Sequence, residues 1–169
     1  MADENIYISI MRGTPLMLQL IVIFFAPYYI FGINLSADYR FTAVIIAFTL
    51  NYAAYFTEIY RGGIEAIPKC QFEAAKVLGY SRIETFFIII FPQVIKIVIP
   101  SMTNEIITLV KDTSLSFVIA IPEMFTVAKQ IATAESSISA LLIAAIFYYV
   151  FNVIVAFIMR RLENKLDYY

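Results

Sequence analysis

The chain has 169 residues, 62% of them hydrophobic, with 12 basic and 13 acidic side chains, a net charge of −1 and a mean hydropathy of +0.82. Soluble domains are only about half apolar, so this composition describes a polytopic helical membrane protein of one domain, with room for about four spans of roughly 20 residues. One cysteine, Cys70, and no histidine argue against a disulfide framework and against zinc, haem and redox chemistry, and none of the five glycines opens a P-loop.

Residues 1–15 lack a charged start followed by a long apolar core, so no cleaved signal peptide is expected. Arg12-Gly13-Thr14-Pro15 ends this segment, and 16–35 is the first stretch long enough to cross a bilayer, with Pro27 tolerated inside it. A polar turn at 36–40 precedes the second span, 41–60. A cytoplasmic loop, 61–83, follows, and 67–92 is the longest interval without an apolar run of spanning length. Pro68 suits a first helical position, Gln71 to Leu78 forms a short helix, and Gly79 stops it. Ser81-Arg82-Ile83-Glu84 fits a capping box, so a second helix starts there and runs into the third span, 84–110. That span is broken by Pro92 and Pro100 and dotted with Gln93, Lys96, Asn104 and Glu105, too polar to face lipid. Lys111-Asp112-Thr113-Ser114 ends it. Residues 115–137, with Pro122, are too interrupted to count as a span, and 138–159 is the last, closed by Arg160 and Arg161.

Four spans put both termini on one side. That side carries eight basic residues, Arg12, Arg61, Lys69, Lys76, Arg82, Arg160, Arg161 and Lys165, against Arg40, Lys111 and Lys129 on the other. The excess places the N-terminus, the 61–83 hook and the C-terminus in the cytoplasm.

Polar residues recur inside the spans. Asn51, Tyr55 and Glu58 share one face of the second, and Asn104, Thr108 and Lys111 one face of the third, with Glu105 and Asp112 beside them. Intramembrane polar groups face a bundle interior or a water-filled pathway, so Asn51, Tyr55, Asn104, Glu105, Thr108 and Lys111 are candidate pathway residues. The plainer alternative is that the asparagines bond neighbouring helices and Glu58 pairs locally with Arg61.

The hook also carries a motif. Glu73-Ala74-Ala75, Gly79 and Ile89-x-Phe91-Pro92 resemble the EAA loop of the membrane subunits of ATP-binding-cassette importers, with Phe91 in place of the usual Leu. Arg12-Gly13-Thr14-Pro15-Leu16, Glu58-Ile59-Tyr60-Arg61-Gly62-Gly63-Ile64, Ala66-Ile67-Pro68-Lys69 and Lys111-Asp112-Thr113-Ser114-Leu115 resemble motifs of the polar amino acid branch, in the same order and spacing. Cys70 stands where that branch usually has Gly. The branch usually has one further span before R-G-T-P, so the first of five is expected to be absent.

The resemblance implies an all-α type I importer permease (MetI-like) fold in a bacterial cytoplasmic membrane, and a non-enzymatic subunit that moves polar or charged amino acids inward. Glu73, Ala74, Ala75, Leu78, Gly79 and Arg82 would then form the coupling helix that docks on a separate ATPase, which binds ATP and Mg, leaving no cofactor for this chain. A second permease subunit and an extracytoplasmic solute-binding protein are the other implied partners. Without the resemblance, Glu73 reads as a solvated helix carboxylate, and the chain as a channel or assembly subunit, or a truncated fragment that transports nothing.

Overall fold

The computed structural model describes residues 2–34, 36 and 38–166, and every regular element among them is helical. The expected end of the first span at Leu35 lies outside these residues. The chain forms two compact units. One comprises the chain up to Tyr55 together with Thr108–Ile154; the other comprises Phe56–Ile107 and the chain from Val155 onward.

The polar start is helical, α1 (Ala2–Gly13), and turns by 107° into α2 (Leu16–Phe31), with Pro15 in extended geometry at the break. Pro27 is accommodated inside α2, and Gly32, at φ +66°, ends it in the left-handed conformation that a residue without Cβ adopts freely. The second long helix, α3 (Tyr39–Glu65), runs past the expected boundary at residue 60 and takes up Arg61-Gly62-Gly63. Then come α4 (Lys69–Val77), α5 (Arg82–Glu84), a π-turn over Thr85–Ile90, and α6 (Phe91–Asp112).

Pro92 explains the π-turn. It has no N–H to give, and in an α-helix its ring would collide with the Ile88 carbonyl four residues back. The turn widens instead, and the Phe91 N–H donates to the Phe86 carbonyl five residues back. Pro100, by contrast, sits within an uninterrupted α6, so the third span is continuous where two breaks were expected.

The segment 115–137 resolves into a 3-10 stretch (Thr113–Ile119) and α7 (Met124–Ala134), followed by α8 (Ser139–Leu166). Among the described residues, three stretches are long and apolar enough to span a bilayer: Tyr39–Glu65, Arg82–Ile119 and Ser139–Lys165. Counting the bent α1–α2 pair as one gives a fourth. Only 6% of the apolar window of α8 is buried, at a mean hydropathy of 2.5, which a helix sustains in lipid and not in water.

In the first unit α2 and α7 both pack on the 3-10 stretch. In the second, Ile67, Ile90, Val94 and Val98 form a core, with Ile59, Phe86, Ile89 and Met102 packed around it. Gly63 lies against this core so closely that a Cβ there would stand 2.3 Å from Val98 Cγ1 and 3.3 Å from Val94 Cγ1. The α3–α6 approach therefore requires glycine at 63.

Candidate functional site

The hook is fixed at both ends by local signals. Pro68 is its N-cap (φ −59°, ψ 137°), one position before the helical position expected for it, because the chain is still extended there and turns helical at Lys69. At the other end Gly79 has φ +85°. Its N–H donates to Lys76 O and the Tyr80 N–H to Ala75 O, both at 3.1 Å, the paired closure of a Schellman motif. The next helix starts on a complete capping box. Glu84 N–H donates to Ser81 Oγ at 3.3 Å, and Ser81 N–H donates to Glu84 Oε2 at 2.9 Å.

Between these stops α4 packs on the π-turn. Of the two adjacent alanines, Ala75 is turned inward, 1% exposed, while Ala74 is exposed. Glu73 and Arg82 are exposed, and their side chains form no hydrogen bond or ion pair with any described residue. Around them Val77, Leu78 and Ile83 are 87%, 73% and 72% exposed. The capped hook thus presents Glu73 on α4 and Arg82 on α5, with Lys69, Lys76 and Glu84 also exposed, around apolar side chains, a surface suited to docking against a protein.

The candidate pathway residues fall into separate settings. Asn51 is buried, and its Nδ2 donates to Met11 O at 3.1 Å and Gln19 Oε1 at 3.0 Å. Gln19 Nε2 in turn donates to Met11 O, Thr14 O and Thr14 Oγ1. Tyr7 donates to Leu50 O, and the Arg12 guanidinium lies 5.5 Å from the centre of the Tyr55 ring. Asn51 and Tyr55 thereby tie the Arg12-Gly13-Thr14-Pro15 turn to α3 and satisfy the carbonyls that the bend releases. Glu58 meets Arg61 at 2.8 Å, the local pairing weighed from its spacing.

On α6, Asn104 is exposed and Glu105 and Thr108 are half-buried. Lys111 is exposed and borders a cavity of ≈ 390 Å³ with Ser114, Phe125 and Tyr148. Several residues that organise this end had no part in the sequence reading of the pathway. Tyr52, 6% exposed, donates its hydroxyl to Asp112 Oδ2 at 2.8 Å. Arg40 Nη1 donates to the carbonyl of Ala120, a non-glycine residue at φ +57° that ends the 3-10 stretch. Glu123 caps α7, accepting from the Phe125 N–H at 2.7 Å and the Thr126 N–H at 2.6 Å, and the Tyr148 hydroxyl reaches it from α8 at 3.2 Å. The Pro122-Glu123 pair ahead of an apolar run is the one local signal that could have revealed this helix start.

Residues 5–168 match the family described as the inner membrane component of binding-protein-dependent transport systems. The L-cystine transport system permease protein TcyB of Bacillus subtilis (strain 168) is 36% identical over 168 residues, covering 98% of this chain and 70% of that protein. The arginine transport system permease protein ArtQ of the same organism is 37% identical over 163 residues, covering 96% of this chain and 73% of ArtQ. A crystal structure of an amino acid ABC transporter with histidines superposes with a TM-score of 0.84 at 31% identity, over 95% of this chain and 74% of that one.

Proposed function

The chain belongs to the family of binding-protein-dependent transport system inner membrane components, and from that premise we propose that it is the membrane subunit of an ABC importer of amino acids, coupled to its ATPase through the 61–83 hook. The family is one of transport permeases that sit as multi-pass proteins in the inner membrane. The chemistry of ATP belongs in this reading to a partner subunit, and delivery of the amino acid to a solute-binding protein. A second permease subunit completes the pathway.

The observation that carries the coupling role is the double-stopped hook, with Glu73 and Arg82 displayed among Val77, Leu78 and Ile83. A helix whose ends are fixed transmits displacement as a body, whereas a frayed one absorbs it. Glu73 supplies a charge for pairing with a basic residue of the ATPase, and the apolar neighbours supply contact area. Along α6, Asn104, Glu105, Thr108 and Lys111 line the route of the substrate, offering an acid and a base to a zwitterion. Asn51 and Tyr55 contribute to that route by holding the bend at residues 12–15.

Glu73→Lys tests the docking. The variant is expected to insert normally, to lose co-purification of the ATPase and to lower uptake at least about tenfold, as reversal of a paired charge at an interface does. Unchanged co-purification and uptake would refute the docking role. The proposed orientation, hook inward, requires that an impermeant thiol reagent added outside leave Cys70 unlabelled in sealed cells. Labelling before lysis would reverse the topology.

A further inference from the structure

We propose that the π-turn at Thr85–Ile90 is the joint at which the hook moves against the third span; this rests on the coupling role given to the hook. The ends of the turn are buried and Phe86 and Ile89 pack on the core, so only Phe87 and Ile88 face outward. Thr85, 7% exposed, donates through Oγ1 to Ser81 O at 2.8 Å, and Ile90, fully buried, belongs to the core with Ile67, Val94 and Val98. Phe87 and Ile88, between them, are 61% and 59% exposed.

The position matters as much as the geometry. The capped start at Ser81 lies on one side, and α6 with Asn104, Glu105, Thr108 and Lys111 lies on the other. Any displacement passing along the chain from α4 to α6 crosses this turn. A π-turn holds one residue more than α geometry needs, and its N–H groups can alternate between carbonyls four and five residues back. Full closure would shift everything upstream by about 1.5 Å and about 100°. Pro92 biases the turn towards the wide form by excluding the α-type bond to Ile88 O. The turn therefore swivels without breaking the helix, which an ordinary α-helical turn does not do.

Deleting Ile88 removes the surplus residue and makes the existing Phe91 N–H to Phe86 O bond an ordinary four-back bond, which takes away the five-back alternative on which the swivel depends. In the reconstituted complex with its ATPase and binding protein, the deletion variant is expected to assemble, to keep basal ATPase activity within about twofold and to lose at least about tenfold in uptake. Pro92→Ala keeps the chain length and readmits the α-type bond, so it should lower uptake in the same direction with assembly intact. Normal uptake by both variants would overturn the joint. Failure of the deletion variant to assemble would overturn it as well, since the flanks would not then tolerate loss of a surplus residue. The docking reading fails separately, through Glu73→Lys that still binds the ATPase and transports normally.

Discussion

The hook and the segment 112–123 are both short, irregular connections at helix ends, and they are held in opposite ways. The stops of the hook are local: Pro68, Gly79 and the Ser81–Glu84 box act within six residues of the groups they satisfy, while Gly63, Ile67 and Ala75 seat it by packing. The 112–123 segment is held from afar, by Tyr52 on Asp112 across 60 positions, Arg40 on Ala120 O across 80, and Tyr148 on Glu123 across 25. A locally specified element can move as a body because its shape does not depend on its neighbours. One assembled from distant side chains keeps its shape only while the surrounding helices stay put.

The strongest way to break this contrast is Tyr52→Phe. It leaves the ring in place but removes the donor to the Asp112 carboxylate, and a hydrogen bond to a charged group is worth up to about 3 kcal/mol. The expected result is faster hydrogen exchange at the amides of 113–119, with exchange in α4 unchanged. Equal effects on both regions would mean that the two are not independently held.

Gly63→Ala sharpens the comparison from the other side, because the second unit has long-range requirements of its own, the Gly63–Val98 approach among them. The added methyl would meet Val98 Cγ1 at 2.3 Å, and Val98 is 4% exposed with a branched, stiff side chain that cannot swing away. Overpacking of this kind costs about 2 kcal/mol. A lower inactivation temperature in detergent is expected, rescued by Val98→Ala, which removes the clashing atoms. Absence of rescue would place the strain elsewhere.

The same division explains what could be read from sequence. The hook was legible because proline, glycine and a Ser-x-x-Glu spacing fix backbone geometry at the positions where they occur, although Pro68 caps rather than starts the helix, which runs Lys69–Val77 instead of Gln71 to Leu78. The four apolar runs were legible because hydropathy integrates over about 20 residues. The 107° bend after Gly13 carried no comparable signal, since what supports it is Asn51 and Gln19, 32 residues apart in sequence. Asn51 showed as a polar residue in a span, and spacing alone could not say whether its partner was a substrate or a released carbonyl. The inward turn of Ala75 beside an exposed Ala74 follows from the packing of α4 on the π-turn, itself a consequence of Pro92 that periodicity does not register.

The smallest effect belongs to Ser81→Ala, and its value lies in being confined. The substitution removes the acceptor for the Glu84 N–H, at 3.3 Å, and leaves the residue 81 N–H to the Glu84 carboxylate, so that one half of the box is lost. Loss of an N-cap costs about 1 kcal/mol. Because Ser81 is exposed and the box closes within four residues, that loss should appear as faster exchange of the Glu84 amide alone, with the Gly79 closure and the Ile67–Val98 core untouched. Ser81→Asp should restore protection, since Asp caps as well as Ser and adds a negative charge at a helix N-terminus. Uptake should fall modestly in the alanine variant and recover in the aspartate one if a firm stop at this point is what lets α4 move as a unit. Loss of exchange protection with uptake unchanged would show that the hook needs its glycine stop but not its capping box.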